Sequence, residues 1–327
     1  MSRMTRSARH RRDRVTLARL PSGVEVATTV HRYQGPDDGP TVYVQAAQHG
    51  REINGTEVCR RLHDELPTTR LAGEVVVVPV ANPLTFDRVS YTMPEVLDSV
   101  NPNMNRVWPG DSGGTLHQRM AAALWEYANE ADVIVDLHTG SPEMLTHTVF
   151  REGDETAREL AEAFGTSLLL AEQAGDDAPD AWHRRQFDGK LRVAAAAEDI
   201  PAITPELAHN KQIVEDAVTT GVRGVLNVLR HLEVVPGQVI PPGEQRMARN
   251  HLGRISAADS GMFRPEPSLT LGREVRAGDP LGTVYDPTTY EVLQRAEVDR
   301  DGILYAITKE ATVTGGDRLA SVAVPLE

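Results

Sequence analysis

The sequence has little cysteine and no long apolar run. Its single cysteine, Cys59, excludes an intramolecular disulfide, and with it the small disulfide-rich folds of secreted proteins. No stretch approaches the roughly 18 consecutive apolar residues of a membrane-spanning helix. The N-terminus carries charges but lacks the apolar core of a secretory signal peptide. We therefore expect a cytoplasmic protein with no membrane partner.

The composition is that of a soluble globular protein. Of 327 residues, 40% are hydrophobic and 25% are charged, and the chain is long enough for a full core and more than one domain. The net charge is −13, yet residues 1–20 contain seven arginines against one acid, Asp13. We interpret residues 1–20 as a flexible basic arm on an acidic body, although the alternating pattern of residues 15–34 around Pro21-Ser22-Gly23 predicts an antiparallel hairpin. Because that body repels a phosphate backbone, no nucleic-acid partner is expected; a homo-oligomer is left open.

Apolar strand-like segments alternate with helical segments through most of the chain. The strand-like segments are uncharged or nearly so, as in a sheet covered on both faces; they span residues 41–47, 74–81, 131–140 and 200–207. Helical periodicity follows them, most clearly at 115–130, 155–164 and 213–232. This pattern predicts an α/β fold whose mainly parallel or mixed sheet has helices on both faces.

A second, smaller unit follows the Pro- and Gly-rich stretch 235–244. Beyond it the sequence has no helical pattern, only short β-rich segments between Gly/Asp turns. We therefore divide the chain into the arm (1–20), a catalytic domain (21–238) and a small C-terminal all-β sandwich or barrel (239–327). The long irregular stretch 84–114 is expected to be either functional or disordered.

Polar side chains stand at three predicted strand ends. His49 and Glu52 follow the first central strand, His138 ends another, and Glu206 ends a third. Ligands bind in open α/β sheets at the carboxyl ends of the strands. Two imidazoles, one carboxylate and an open position are what a catalytic zinc ion uses. Glu206, alone on an apolar strand, is the candidate general base.

Each of these residues also has an ordinary structural interpretation. A single histidine is more often exposed or hydrogen-bonded in a core than a ligand, and Glu206 by itself could be a misjudged strand end. Asp136 points the same way as His138 by strand alternation, so it is either a partner that orients that ligand or a structural acid. Four further histidines are interpreted as structural residues or as residues of the rim: His117, His147, His183 and His209.

Arginines supply candidate anchors for a substrate. Asn105-Arg106 would suit a carboxylate, because the guanidinium matches it bidentately; an exposed loop arginine is the alternative. Arg51 and Arg88 could stabilise an oxyanion, or could instead pair with acids.

Five motifs in order carry a resemblance to a known family. They read His49-Gly-Arg-Glu52, Asn82-Pro, Asn105-Arg106-x-x-Pro-Gly, Asp136-Leu-His138-Thr-Gly and Ile203-Thr-Pro-Glu206-Leu. Together they resemble the succinylglutamate desuccinylase/aspartoacylase family, zinc amidohydrolases related to carboxypeptidase A. The resemblance covers about residues 20–232, and the β-rich tail is similar to the family's C-terminal domain.

The resemblance implies one zinc ion per chain on His49, Glu52 and His138, with Glu206 as general base. It also implies that Asn105 and Arg106 bind a substrate carboxylate, and that the reaction hydrolyses a small N-acyl amino acid.

Two departures from the family pattern concern arginines, and two other functions are left open. Arg51 stands where the family often has Asp or Asn, and Arg88 is only the nearest candidate for the family's further arginine. One alternative is a metallocarboxypeptidase acting on short peptides, which Arg51 favours slightly. The other is a non-catalytic metal-binding protein of the same fold.

Overall fold

The computed structural model describes residues 7–140, 143–241, 243–249 and 254–326. The strands of this part of the chain are β1 (Arg9–Arg19), β2 (Glu25–Gln34), β3 (Asp37–Ala46), β4 (Ala72–Val78), β5 (Val133–Gly140), β6 (Glu143–Met144), β7 (His147–Arg151), β8 (Leu168–Glu172), β9 (Ala202–His209), β10 (Arg246–Arg249), β11 (Arg254–Ser256), β12 (Gly261–Pro265), β13 (Glu274–Val275), β14 (Pro280–Tyr285), β15 (Val292–Glu297), β16 (Gly302–Ile307), β17 (Thr312–Val313) and β18 (Arg318–Pro325). Its α-helices are α1 (Asn54–Glu65), α2 (Pro83–Phe86), α3 (Leu116–Ala128), α4 (Glu155–Phe164), α5 (Asp180–Arg184), α6 (Leu191–Ala197) and α7 (Glu215–His231).

A large mixed sheet forms the centre of the molecule. Its main path runs β1-β2-β4-β3-β5-β9-β7-β8-β10-β18-β16-β13. The strands β4, β3, β5 and β9 are parallel to one another, so the carboxyl ends of β3, β5 and β9 meet at one edge. β7 pairs antiparallel with β9 and brings its N-terminal residue, His147, to the same edge.

Helices cover both faces of the sheet, as the apolar strands predict. On β3, Val42, Val44 and Ala46 join the core that includes side chains of α1, α4 and α7. Tyr43, which points to the opposite face, joins the core that includes side chains of α3 and α6. Because both faces are buried, β3 has no position for a charge along its apolar half. This architecture confirms the expected α/β class.

The expected N-terminal arm is replaced by a strand over the residues that the structure describes. Residues 9–19 form β1, which pairs with β2 from Arg9–Gln34 to Arg19–Glu25. Glu25 accepts hydrogen bonds from Arg14 (3.0 Å) and Arg19 (2.9 Å), and Leu17 is buried. Cross-strand pairing and burial of alternate residues therefore hold this segment in the sheet. Its many arginines had suggested a flexible tail. Residues 1–6 of the expected arm lie outside the described residues.

The C-terminal strands form two groups. Four of them make a separate sheet in the order β15-β14-β12-β17, which fits the expected all-β unit. The others extend the large sheet, since β10 pairs parallel with β8 and antiparallel with β18. The C-terminal part is thereby joined to the central sheet through backbone hydrogen bonds. Within the described residues, no helix combines the length and apolar character needed to cross a membrane.

Candidate functional site

A cavity of about 640 Å³ opens at the carboxyl ends of β3, β5 and β9. Its volume is in the range of sites for small molecules. Side chains of the C-terminal part, including Arg254, Tyr305 and Arg318, form one wall of it. Seven of the eight site residues predicted from the sequence line this cavity: His49, Arg51, Glu52, Asn105, Arg106, His138 and Glu206.

The turn after β3 places His49 and Glu52 side by side. The Glu52 N–H donates to the His49 carbonyl (3.0 Å), and α1 begins two residues later at Asn54. Between them, Gly50 packs directly on the backbone of Thr85, where an added Cβ would lie 2.0 Å from the Thr85 carbonyl carbon. The glycine therefore allows the turn to pack closely against the segment around α2. Asn54 fastens the turn to β9, donating from Nδ2 to the Leu207 carbonyl (2.9 Å).

Two imidazoles face one buried carboxylate. Nδ1 of His49 lies 2.9 Å from Oε1 of Glu52, and Nδ1 of His138 lies 2.9 Å from Oε2 of the same residue. One ligand atom from each of the three residues lies within 4.8 Å of the others, and all three side chains are buried. The sheet thus brings together residues that are separated by up to 89 positions in the chain.

The outer nitrogen of each ring has its own acceptor. Nε2 of His138 lies 3.0 Å from Oδ2 of Asp136, and Nε2 of His49 lies 3.1 Å from Oδ1 of Asn103. Asp136 and Asn103 are acceptors, so each Nε2 can donate to its partner, and each Nδ1 would then be available to an ion bound beside Glu52. This is how metal-ligating histidines are usually held.

Asp136 is itself anchored in the core of the sheet. Gln45 donates from Nε2 to its Oδ1 (2.9 Å), and Tyr43 donates from its hydroxyl to Oε1 of Gln45 (2.9 Å). Of the two interpretations of Asp136, the structure supports the one in which it orients His138.

The arrangement fits a divalent metal ion. Burial by itself would raise the pKa of Glu52, but His49 and His138 together bring it to about 2, so the carboxylate is ionised. When the ring nitrogens that face it are deprotonated, a cation bound among the three side chains would replace the protons that these contacts otherwise share. Two imidazole nitrogens, a carboxylate and an open side towards the cavity are the donor set of a catalytic zinc site.

Glu206 lies beside His138 on the next strand. The two residues are Cα partners in the β5–β9 ladder, so their side chains project from the same face, and both line the cavity. Burial raises the pKa of Glu206 to about 7. A carboxyl group with this pKa can both take up and release a proton near neutral pH.

Asn105 and Arg106 also line the cavity, and Nδ2 of Asn105 lies 3.4 Å from Nε2 of His138. Oδ1 of Asn105 accepts from the Leu191 N–H (3.2 Å). Nε of Arg106 donates to the Arg185 carbonyl (2.8 Å), and its guanidinium carbon lies 4.5 Å from the centroid of the Phe187 ring. These contacts fix the plane of the guanidinium inside the cavity.

Of the two arginines predicted to stabilise an oxyanion, the structure brings only one to the cavity. Arg51 lines the cavity, its guanidinium carbon lies 4.8 Å from the centroid of the Tyr91 ring, and its buried Nε has no hydrogen-bond partner among the described residues. Arg88 is exposed and is absent from the cavity wall, so the structure does not bring it to the site.

Several residues of the site escaped the sequence analysis. Glu172 is fully buried in the wall, where it pairs with Lys190 (2.9 Å) and with Arg192. His147, interpreted as structural or as a rim residue, is a Cα partner of Glu206 and lines the cavity. In the sequence, only the charge of Glu172 at the end of an apolar strand indicated that this group belongs to the site.

His147 also makes stability depend on pH. Its Nδ1 donates to the Leu145 carbonyl (2.8 Å), and burial lowers its pKa to about 4, against about 6.5 in an unfolded chain. Between these values the unfolded chain binds a proton that the folded chain does not, so this contribution to stability falls as the pH falls. We expect His147→Gln to remove about 2 kcal/mol of the stability lost between pH 7 and pH 5 in the wild type.

Urea unfolding at several pH values measures this effect. His183→Gln, at an exposed histidine, is the matched control and should keep the wild-type pH dependence. An unchanged slope in His147→Gln would contradict the assignment.

Comparison with known proteins agrees with the geometry of the site. Residues 38–232, which are more than half of the chain, match the model of the succinylglutamate desuccinylase/aspartoacylase catalytic domain. An N-alpha-acetyl-L-2,4-diaminobutyric acid deacetylase from Halomonas elongata is 28% identical over 304 residues, which cover 89% of this chain and 84% of that protein.

Solved structures of similar proteins show the same fold. A succinylglutamate desuccinylase/aspartoacylase from Rhodobacter sphaeroides superposes with a TM-score of 0.83 at 25% identity, covering 98% of this chain and 97% of its own. The product-bound ectoine utilization protein EutE (DoeB) from Ruegeria pomeroyi gives a TM-score of 0.83 at 20% identity, covering 97% and 95%.

Proposed function

The chain belongs to the succinylglutamate desuccinylase/aspartoacylase family, and we propose that it is a zinc-dependent amidohydrolase that removes the acyl group from a small N-acyl amino acid. One observation carries the proposal: the buried His49–Glu52–His138 group and Glu206 face a single cavity. The names of its relatives, a deacetylase and a desuccinylase/aspartoacylase, support cleavage of an amide bond.

His49, Glu52 and His138 would hold the metal ion. A zinc ion there would polarise the substrate carbonyl and lower the pKa of a water molecule. Asp136 and Asn103 would accept from each Nε2 and so keep the two imidazoles in the tautomer whose Nδ1 is free to bind the ion.

Glu206 would move the proton. It accepts a proton from the attacking water while the water oxygen bonds to the amide carbon. It then donates that proton to the leaving nitrogen as the C–N bond breaks, which gives a carboxylic acid and an amine. The pKa of about 7 suits both steps, because the same carboxyl must act as base and then as acid.

Arg51 would stabilise negative charge on the former carbonyl oxygen. Its unpaired Nε lies in the wall beside Tyr91, and it follows the ligand His49 by two residues. A buried donor directed at developing charge contributes to the rate because it needs no reorganisation.

The cavity wall offers cationic side chains to an anionic substrate. It carries seven, Arg51, Arg106, Arg185, Lys190, Arg192, Arg254 and Arg318, against six acids, of which Glu52 would bind the metal ion and Glu172 pairs with Lys190 and Arg192. Together with a bound metal ion, the cations would attract an anionic group. Arg106 would bind the carboxylate of the substrate with help from Asn105. The printed substrate of the Halomonas relative, an N-acetylated amino acid, agrees with this class.

Arg106→Ala should therefore weaken binding of the carboxylate. We expect KM for an N-acyl amino acid to rise about 10- to 100-fold, because a charged hydrogen bond contributes roughly 1.5–3 kcal/mol. The KM for the matching N-acyl amine, which has no carboxylate, should change little. Steady-state kinetics on the two substrates measures the difference.

Arg88→Ala is the matched control for this substitution, since Arg88 is exposed and outside the cavity. It should keep the wild-type KM for both substrates. If Arg106→Ala raised both KM values equally, Arg106 would act on the shape of the site rather than on the carboxylate.

A panel of substrates tests the function itself. Zinc-loaded protein should hydrolyse N-acetyl or N-succinyl amino acids in preference to short peptides with a free C-terminus. Preferred cleavage of the peptides would support a metallocarboxypeptidase instead. Hydrolysis of neither class would contradict the proposal.

A further inference from the structure

Three histidines meet on the surface beside the β1 edge of the large sheet. His10 lies on β1, His31 on β2 and His63 near the end of α1. One ring nitrogen from each lies within 4.8 Å of the others. Nε2 of His10 and Nδ1 of His31 are 3.1 Å apart. None of the three lines the cavity, so the group is separate from the site described above.

Tyr33 holds the three rings in place. Its hydroxyl lies 2.8 Å from Nδ1 of His63 and 3.5 Å from Nδ1 of His31. The ring of His10 stacks on the Tyr33 ring, with 4.4 Å between centroids. Tyr33 is itself buried, so the imidazoles rest on a rigid support. For His63, whose Nδ1 contacts the Tyr33 hydroxyl, Nε2 would bind the ion, as in a metal-ligating histidine with its supporting hydrogen bond.

The donor set selects the kind of ion. Three imidazoles without a carboxylate among them suit zinc and its neighbours in the transition series, whereas magnesium and calcium prefer oxygen ligands. Three histidines and a solvent molecule complete a tetrahedral zinc shell. A separation of 3.1 Å between two nitrogens is close to the roughly 3.3 Å between ligands that Zn–N bonds of 2.0–2.1 Å give in that geometry.

We infer that His10, His31 and His63 form a second zinc site on the surface, distinct from the His49–Glu52–His138 group. The site joins three segments that lie up to 53 residues apart. Since β1 is the edge strand of the large sheet, a metal ion bound there fastens that edge to β2 and α1. Binding of the ion to the folded chain alone stabilises the fold by linkage.

Zinc analysis of the full-length protein tests the site. Wild type, His31→Ala and His63→Ala are equilibrated with zinc, desalted and measured for zinc per chain. Each variant should retain one equivalent fewer than the wild type and bind zinc at the surface site at least about tenfold more weakly. His231→Ala, at a histidine of α7 outside the group, is the control and should match the wild type.

Limited trypsin digestion provides a second readout that does not depend on activity. The arginines of β1 are cleavage sites, so added zinc should slow cleavage within β1 in the wild type and not in His63→Ala. Because His63 is exposed, this variant should fold. Equal zinc content in the wild type, His31→Ala and His63→Ala would overturn the proposal, as would equal protection by zinc in the wild type and His63→Ala. If the wild type hydrolysed no substrate, the proposed function would fail but the surface zinc site would not, since the surface site does not depend on the cavity.

Discussion

Glu206→Gln is expected to lower kcat by about a thousandfold, since general acid–base catalysis contributes roughly 10²- to 10⁴-fold. Glutamine has nearly the same shape but can neither accept the proton of the attacking water nor return it to the leaving nitrogen. Glu206 is not one of the three grouped ligand residues, so the zinc content should equal that of the wild type. Turnover of an N-acyl amino acid and elemental analysis of the same sample measure the two effects.

Glu310→Gln is the matched control for Glu206→Gln. Glu310 also lines the cavity but lies in the C-terminal part and is exposed. Its loss should change kcat far less. A fully active Glu206→Gln protein would exclude Glu206 as the base. An inactive Glu206→Gln protein that had also lost zinc would show that the residue acts through the metal.

Glu52→Gln is expected to abolish hydrolysis by removing the metal ion from the cavity. Each carboxylate oxygen of Glu52 faces one Nδ1, and the carboxylate is ionised because its pKa is about 2. A neutral amide presents one oxygen and one N–H group to the same space, so one of the two imidazoles faces a donor. Metal affinity should fall more than about 100-fold, because even the residues that merely support a ligand change it 10- to 100-fold.

A chelator should reproduce this loss in the wild type. Dialysis against it should remove activity, and zinc should restore activity in the wild type but not in Glu52→Gln. If chelation left hydrolysis unchanged, metal dependence would be disproved. His31→Ala separates the two zinc proposals, since it should lose its surface ion while retaining hydrolysis.

Local patterns predicted the elements and the metal group because their signals lie close together in the chain. The uncharged run ending at Ala46 predicted a strand buried on both faces, which placed His49 and Glu52 at the sheet edge that follows it. The same reasoning placed His138 and Glu206. The prediction for Arg88 was wrong, because the sequence around Arg88 does not indicate the direction in which the turn after α2 leaves the sheet.

The features that the sequence analysis missed depend on how the strands pair in the sheet. His147 is the first residue of β7, which runs antiparallel to β9, so the N-terminal end of β7 reaches the cavity. The rule that ligands bind at the carboxyl ends of strands does not predict a residue in that position. Arg9–Arg19 looked like a tail because its arginines are many, and became a strand because β2 offers it a partner along its whole length.

By itself the sequence determined the alternation of strands and helices, the absence of an internal disulfide and the residue types at three strand ends. These follow from periodicity and composition, which depend only on neighbours in the chain. The tertiary structure alone decided which nitrogen of each histidine faces Glu52, which arginines line the cavity, and that His10, His31 and His63 meet. Such contacts depend on packing between segments far apart in the chain, and no local pattern records that packing.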